Sequence, residues 1–137
     1  MRLGIGLGLD FDPARAAREA VRRAKKTVPR PSLALVFAGI RLDQKKVHAA
    51  LCRELDPAIL IGGSSYAEVT PAGVTKNSVA VLLLDLPGAN FRFAGAPCAK
   101  SPAKAGEAIA KAGGLTPGRC PLGLIFSGIR EGRDDEL

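Results

Sequence analysis

A mixed α/β fold, a β-sheet with helices packed on it, follows from three features of the 137-residue sequence. Apolar runs of strand length alternate with amphipathic stretches of helical period, the order expected of an α/β layer. The run Val79-Ala-Val-Leu-Leu-Leu84 has no polar face, as expected of a central strand with layers above and below. Leu33-Ala-Leu-Val-Phe-Ala-Gly-Ile-Arg41 returns as Leu122-Gly-Leu-Ile-Phe-Ser-Gly-Ile-Arg130, so the fold is expected to be built from an internal repeat of about 89 residues.

Residues 3 to 9 alternate large apolar side chains with glycine, the period of a strand with Leu3, Ile5, Leu7 and Leu9 on one face. The opposite, glycine face is open to close approach. These glycines lie inside a strand instead of opening a helix, which excludes a dinucleotide fingerprint. Asp12-Pro13 then supplies an N-cap and a first-turn proline for a helix running to about Lys26. Ala14, Ala17, Val21, Ala24 and Val28 form its buried stripe, and Arg15, Arg18, Arg22 and Lys25 its outer face. Four cations on one face could dock an acidic partner, but a solvated helix surface explains them as well.

Pro29-Arg-Pro31 stops the helix, and Ser32 to Ala38 reads as a second buried strand ended by Gly39. A helix from about Asp43 to Glu54 turns Val47, Leu51 and Leu55 inward. His48 and Cys52 are neighbours on it at i, i+4, a spacing that serves a metal or haem ligand pair or an ordinary surface pair. No third ligand is signalled nearby, so no metal site is expected.

The chain is organised around Ala58-Ile-Leu-Ile-Gly-Gly-Ser-Ser-Tyr-Ala-Glu-Val69. An apolar strand runs into Gly62-Gly63, where the backbone can approach a ligand closely, and Ser64, Ser65, Tyr66 and Glu68 follow at its carboxyl end. The plainer reading is a turn leading into a hairpin. Thr70-Pro71-Ala72-Gly73 has the pattern of a type I turn, pairing Tyr66–Val69 with Val74 onward. The strand Val79 to Leu86 follows, and Leu86-Pro87-Gly88 closes unit one at residue 88.

Unit two, 89–137, starts the repeat and stops short. The offset predicts a strand over Phe91–Ala96, a helix over Pro102–Ala112 and a strand over Leu122–Ser127. Nothing in it matches the Asp43–Glu54 helix, Gly62-Gly63-Ser64-Ser65 or the long strand after the hairpin. An unfinished repeat exposes sheet edge and apolar surface, so the chain is expected to be part of a longer protein.

Composition narrows the class. One Tyr, five Phe and no Trp leave little for stacking on bases, and no recognised nucleic-acid signature accompanies the net charge of +7. There is no secretory leader pattern, and the longest apolar run is far short of a membrane span. Cys52, Cys98 and Cys120 form no CxxC pair, consistent with reduced thiols in a cytoplasm.

Pro-x-Leu-x-Leu-Val-Phe in a strand, then a helix, then Leu-Ile-Gly-Gly-Ser-Ser-x-Ala-Glu-Val and an apolar strand together resemble the amino-terminal FIST sensory domain. The resemblance implies a cytoplasmic input domain of a prokaryotic signalling protein that binds a small ligand, with amino acids proposed as ligands and some relatives associated with haem and nitric oxide. It implies a carboxyl-terminal FIST half or a signalling effector as partner. A homodimer is a further arrangement; nucleic acid and membrane are not expected. Members often carry Cys or another small residue at Gly63 and Gly at Ala67, so ligand preference here can differ.

The expected ligand-binding residues are Gly62, Gly63, Ser64, Ser65, Tyr66 and Glu68. Backbone N–H groups and hydroxyls would hold a carboxylate and Glu68 an ammonium, which suits a zwitterion. No catalytic residue and no cofactor are expected, with haem on His48 as an alternative. A hydrolase or transferase using Ser64 or Ser65 is the other, although the motif lacks the closing glycine of a nucleophile elbow and the only His lies on a helix.

Overall fold

The computed structural model describes residues 1–71, 73–97, 101–114, 124 and 126. The described residues fall into two compact units, 1–87 and 88–126.

In the first unit the elements run β1 (Arg2–Gly8), α1 (Pro13–Lys25), β2 (Leu33–Gly39), α2 (Gln44–Glu54), a 3-10 turn (Pro57–Ile59), β3 (Leu60–Ser65), β4 (Glu68–Thr70), β5 (Gly73–Thr75) and β6 (Val79–Asp85). The sheet order is β1-β6-β2-β3. β6 lies between β1 and β2, antiparallel to both, and β3 pairs parallel with β2. The sheet is therefore mixed, and β3 is an edge strand among the described residues. β4 and β5 form a separate antiparallel ribbon, Glu68 opposite Thr75 and Thr70 opposite Gly73. The expected hairpin is present; its turn type rests on Ala72, outside the described residues.

Glycine sets how the core closes. A Cβ on Gly8, Gly6 or Gly4 would collide with the carbonyl oxygen of Ala16, Ala20 or Ala24 in turn. Two strand residues rise about 6.7 Å and four helix residues about 6 Å, so glycines at period two and alanines at period four keep step along β1 and α1. The helix backbone thus lies directly on the strand backbone. Ala16, Ala17, Ala20, Val21 and Ala24 are fully buried, with Val28 beyond the helix end. Val79, Val81 and Leu83 of β6 complete this face.

The leucine face of β1 is the one away from the helices, with Leu3 and Ile5 45% and 44% exposed and Leu7 buried. Both helices of this unit pack on the glycine side, so the expectation of a layer on each side of β6 is met on one side only within the unit. Ala80, Leu82 and Leu84 are half-buried for that reason.

Caps fix the helix starts. Asp12 accepts from the N–H groups of Ala14 and Arg15 at 2.8 and 3.3 Å, and Asp43 from those of Lys45 and Lys46. The bond from Ala14, then that from Arg15, holds the Asp12 carboxyl below its ordinary value of 3.8. Lys25, expected on the solvated face, is half-buried and donates from Nζ to the Glu54 carbonyl at 2.5 Å. It caps the carboxyl end of α2.

In the second unit α3 (Pro102–Gly113) starts at the Ser101 cap and ends at Gly114, whose φ of 69° is left-handed. This is the expected helix. Residues 91–96 form no strand. Among the described residues no strand pairs with them. Pro97 also stands where β1 has Gly8, removing a ladder donor. The expected strand over 122–127 lies outside the described residues apart from Leu124 and Phe126.

Candidate ligand site

β3 runs from bulky to bare. On the helix side of the sheet its register partners set Leu60 beside Ala34, Gly62 beside Val36 and Ser64 beside Ala38. After Leu60 nothing large fills the space beneath α2. The result is a cavity of about 500 Å³ between α2 and β3, within the range of small-molecule sites.

Its apolar wall is Val36 and Ala38 of β2, Val47 and Leu51 of α2, and Leu60 and Ile61 of β3. Gln44, His48, Gly62, Gly63 and Ser64 provide the polar groups. None of these lining residues is an Asp, Glu, Lys or Arg. The Gln44 amide is fixed by donating to the Gly39 and Leu42 carbonyls at 2.8 and 3.0 Å.

The two glycines differ in kind. A Cβ on Gly62, whose φ is 156°, would strike the Val36 carbonyl, so packing alone demands glycine there. A Cβ on Gly63 would meet nothing within 4 Å. Its bareness is not required by the fold.

The other expected residues lie elsewhere. Gly62, Gly63 and Ser64 line the cavity; Ser65, Tyr66 and Glu68 do not. Glu68 is 2% exposed, and its carboxylate accepts from Ser65 Oγ at 2.5 Å, from Ser78 N–H at 3.3 Å and from Ser78 Oγ. Ser78 Oγ in turn meets Thr75 Oγ1 at 2.7 Å. Both carboxylate oxygens are thus engaged inside the fold, joining the β4–β5 ribbon to β3 and β6. Tyr66 is 75% exposed, with Lys76 Nζ 4.7 Å from its ring centre.

Sequence reasoning missed the α2 wall. Gln44, Val47, His48 and Leu51 share one helix face at spacings of three and four, and two polar members on an otherwise inward face were the available signal. His48 Nε2 lies 3.5 Å from Cys52 Sγ, so the spaced pair is in contact. No group of three or more His, Cys, Asp or Glu able to hold a metal occurs among the described residues. No helix among them is long and apolar enough to cross a membrane.

A mixed α/β unit with a ligand-sized cavity beside the carboxyl end of an edge strand is the class that this fold and site define. The chain belongs to the FIST family, a family of sensory signalling domains: the FIST N domain model matches residues 32–136. β2, α2 and β3, which build the cavity, all lie in the matched stretch. No curated protein matches the chain.

Proposed function

We propose that the chain is a small-molecule-binding input domain whose ligand occupies the cavity between α2 and β3. The observation that carries this is the cavity itself, about 500 Å³, with an apolar wall on α2 and β2 facing Ser64 and the Gly62–Gly63 backbone of β3. A strand that keeps its backbone open there is suited to meeting a ligand.

The lining favours a ligand with an apolar body and one polar end. Val36, Ala38, Val47, Leu51, Leu60 and Ile61 would cover the body, and Ser64, the fixed Gln44 amide and His48 would meet the polar end. A carboxylate suits Ser64 and the Gly62–Gly63 backbone. An ammonium has no carboxylate among the lining residues, because Glu68 is engaged with Ser65 and Ser78. An N-blocked or deaminated apolar acid therefore suits the site better than a free amino acid.

Haem fits less well: His48 offers an axial nitrogen, but no Arg or Lys lines the cavity to pair with propionates. Acyl transfer has weaker support still. Ser64 and His48 share the cavity, and no hydrogen bond links them.

Thermal denaturation with leucine, N-acetyl-leucine and 4-methylpentanoate tests the ligand class. Stabilisation of about 2.7 kcal/mol is expected at a hundredfold excess over Kd, from one of the last two compounds and not from leucine. Ser64→Leu, which fills the cavity from an exposed position, should abolish it. Stabilisation by leucine alone would return the assignment to a zwitterion, and stabilisation unaffected by Ser64→Leu would move the ligand out of this cavity.

A further inference from the structure

Three loop tips meet just past the carboxyl ends of β2 and β3. Ile40 and Arg41 follow β2, Tyr66 follows β3, and Lys76 and Asn77 precede β6; together they line a cleft of about 80 Å³. It shares no residue with the ligand cavity.

Each tip is anchored immediately behind the side chains it presents. Ile40 N–H donates to the Ser65 carbonyl at 2.8 Å and Gly39 N–H to the Ser78 carbonyl at 2.9 Å. Tyr66 lies between Ser65 and Glu68, and Lys76–Asn77 between Thr75 and Ser78. Those four flanking residues are the hydroxyl and carboxylate network centred on buried Glu68. Asn77 holds a left-handed φ of 55°, and Gly39 leaves the room its backbone needs, since a Cβ there would lie 2.6 Å from Asn77 Cα. Burying a carboxylate is costly unless it is fully hydrogen-bonded. Here the buried carboxylate ties two of the exposed tips together, and the backbone bonds of Gly39 and Ile40 join the third to them.

What the tips present is positive. Arg41 and Lys76 form no ion pair among the described residues. Lys76 Nζ is 3.5 Å from the Tyr66 hydroxyl and above its ring. Arg41 and Lys76 are the charged residues among those lining the cleft, so it carries a positive excess. We propose that this cleft binds one oxyanion group, a phosphate or a carboxylate. Arg41 supplies a planar pair of donors, Lys76 a point charge, and Tyr66 and Asn77 neutral donors. The volume admits a single headgroup, so any larger ligand would extend outward past the exposed side chain of Ile40.

Titrating the 15N-labelled 137-residue protein with inorganic phosphate, and separately with acetate, at ionic strength held constant with sodium chloride tests this. Saturable shifts are expected at the amides of Ile40, Arg41, Tyr66, Lys76 and Asn77. Arg41→Gln and Lys76→Gln should each weaken binding by about tenfold, with the rest of the spectrum unchanged because both side chains are exposed. Ser64→Leu should leave it intact, which separates this cleft from the cavity. Saturation by phosphate alone identifies a tetrahedral anion, and saturation by acetate a carboxylate. Linear shifts with both anions, or binding indifferent to both charge-removing variants, would overturn the assignment.

Discussion

Adjacent residues of one strand can be bare for opposite reasons. Gly62 has no room for a methyl group, because Val36 O occupies the place where it would sit. Gly62→Ala should therefore lower unfolding free energy by about 2 kcal/mol or more, through overpacking and backbone strain together. Gly63 faces open space, and Gly63→Ala should leave stability within about 1 kcal/mol of the parent, with any shift toward greater stability from a less flexible unfolded chain. Denaturant titration of the two variants measures the contrast directly. Equal losses would mean that Gly63 is a packing residue. The same scale shows what the sequence left unreadable. The role of Glu68 depends on Ser78, ten residues away and brought near by the β4–β5 ribbon, and no local pattern around Glu68 encodes that partner.

At the scale of elements, the helices were legible and the inner face of β1 was not. Asp12 and Asp43 caps, first-turn Pro13 and apolar periods of three and four mark α1 and α2 with local chemistry. For β1 the habit of turning large apolar residues inward fails, because the sheet meets α1 backbone to backbone. Alternating glycine is the sign of that contact only when a helix with alanine at every fourth position follows, as Ala16, Ala20 and Ala24 do here. The absence of a strand over 91–96 shows that strand composition alone does not decide pairing. The close contact predicts that Gly6→Ala destabilises the protein by about 3 kcal/mol or more, since its methyl group would meet the Ala20 carbonyl and a shift must move the whole helix. Leu3→Ala, on the exposed face of the same strand, should change stability by no more than about 1 kcal/mol. Chemical denaturation of the pair distinguishes this packing from one in which leucine faces the core.

Across the whole molecule, buried apolar surface is divided unequally. Every residue of the principal core cluster, from Ala16 to Leu83, belongs to the first unit. In the second unit α3 has one buried residue, Ala105, among its twelve. Twelve residues are too few for a helix to be stable on propensity alone, so α3 depends on whatever apolar face it buries. α1, of nearly the same length, buries five residues and rests on a glycine-lined strand. Hydrogen exchange reports such differences as opening free energies, from near zero at weakly packed elements to the global value in the core. The amides of Ala20, Val21 and Ala24 should exchange only through global unfolding, slowing and speeding with overall stability as denaturant is varied. Those of Ala108 and Ala110 should exchange faster by two or more orders of magnitude, corresponding to about 3 kcal/mol or more of difference in opening free energy. If α3 proved as protected as α1, its stability would not follow from the apolar surface it buries.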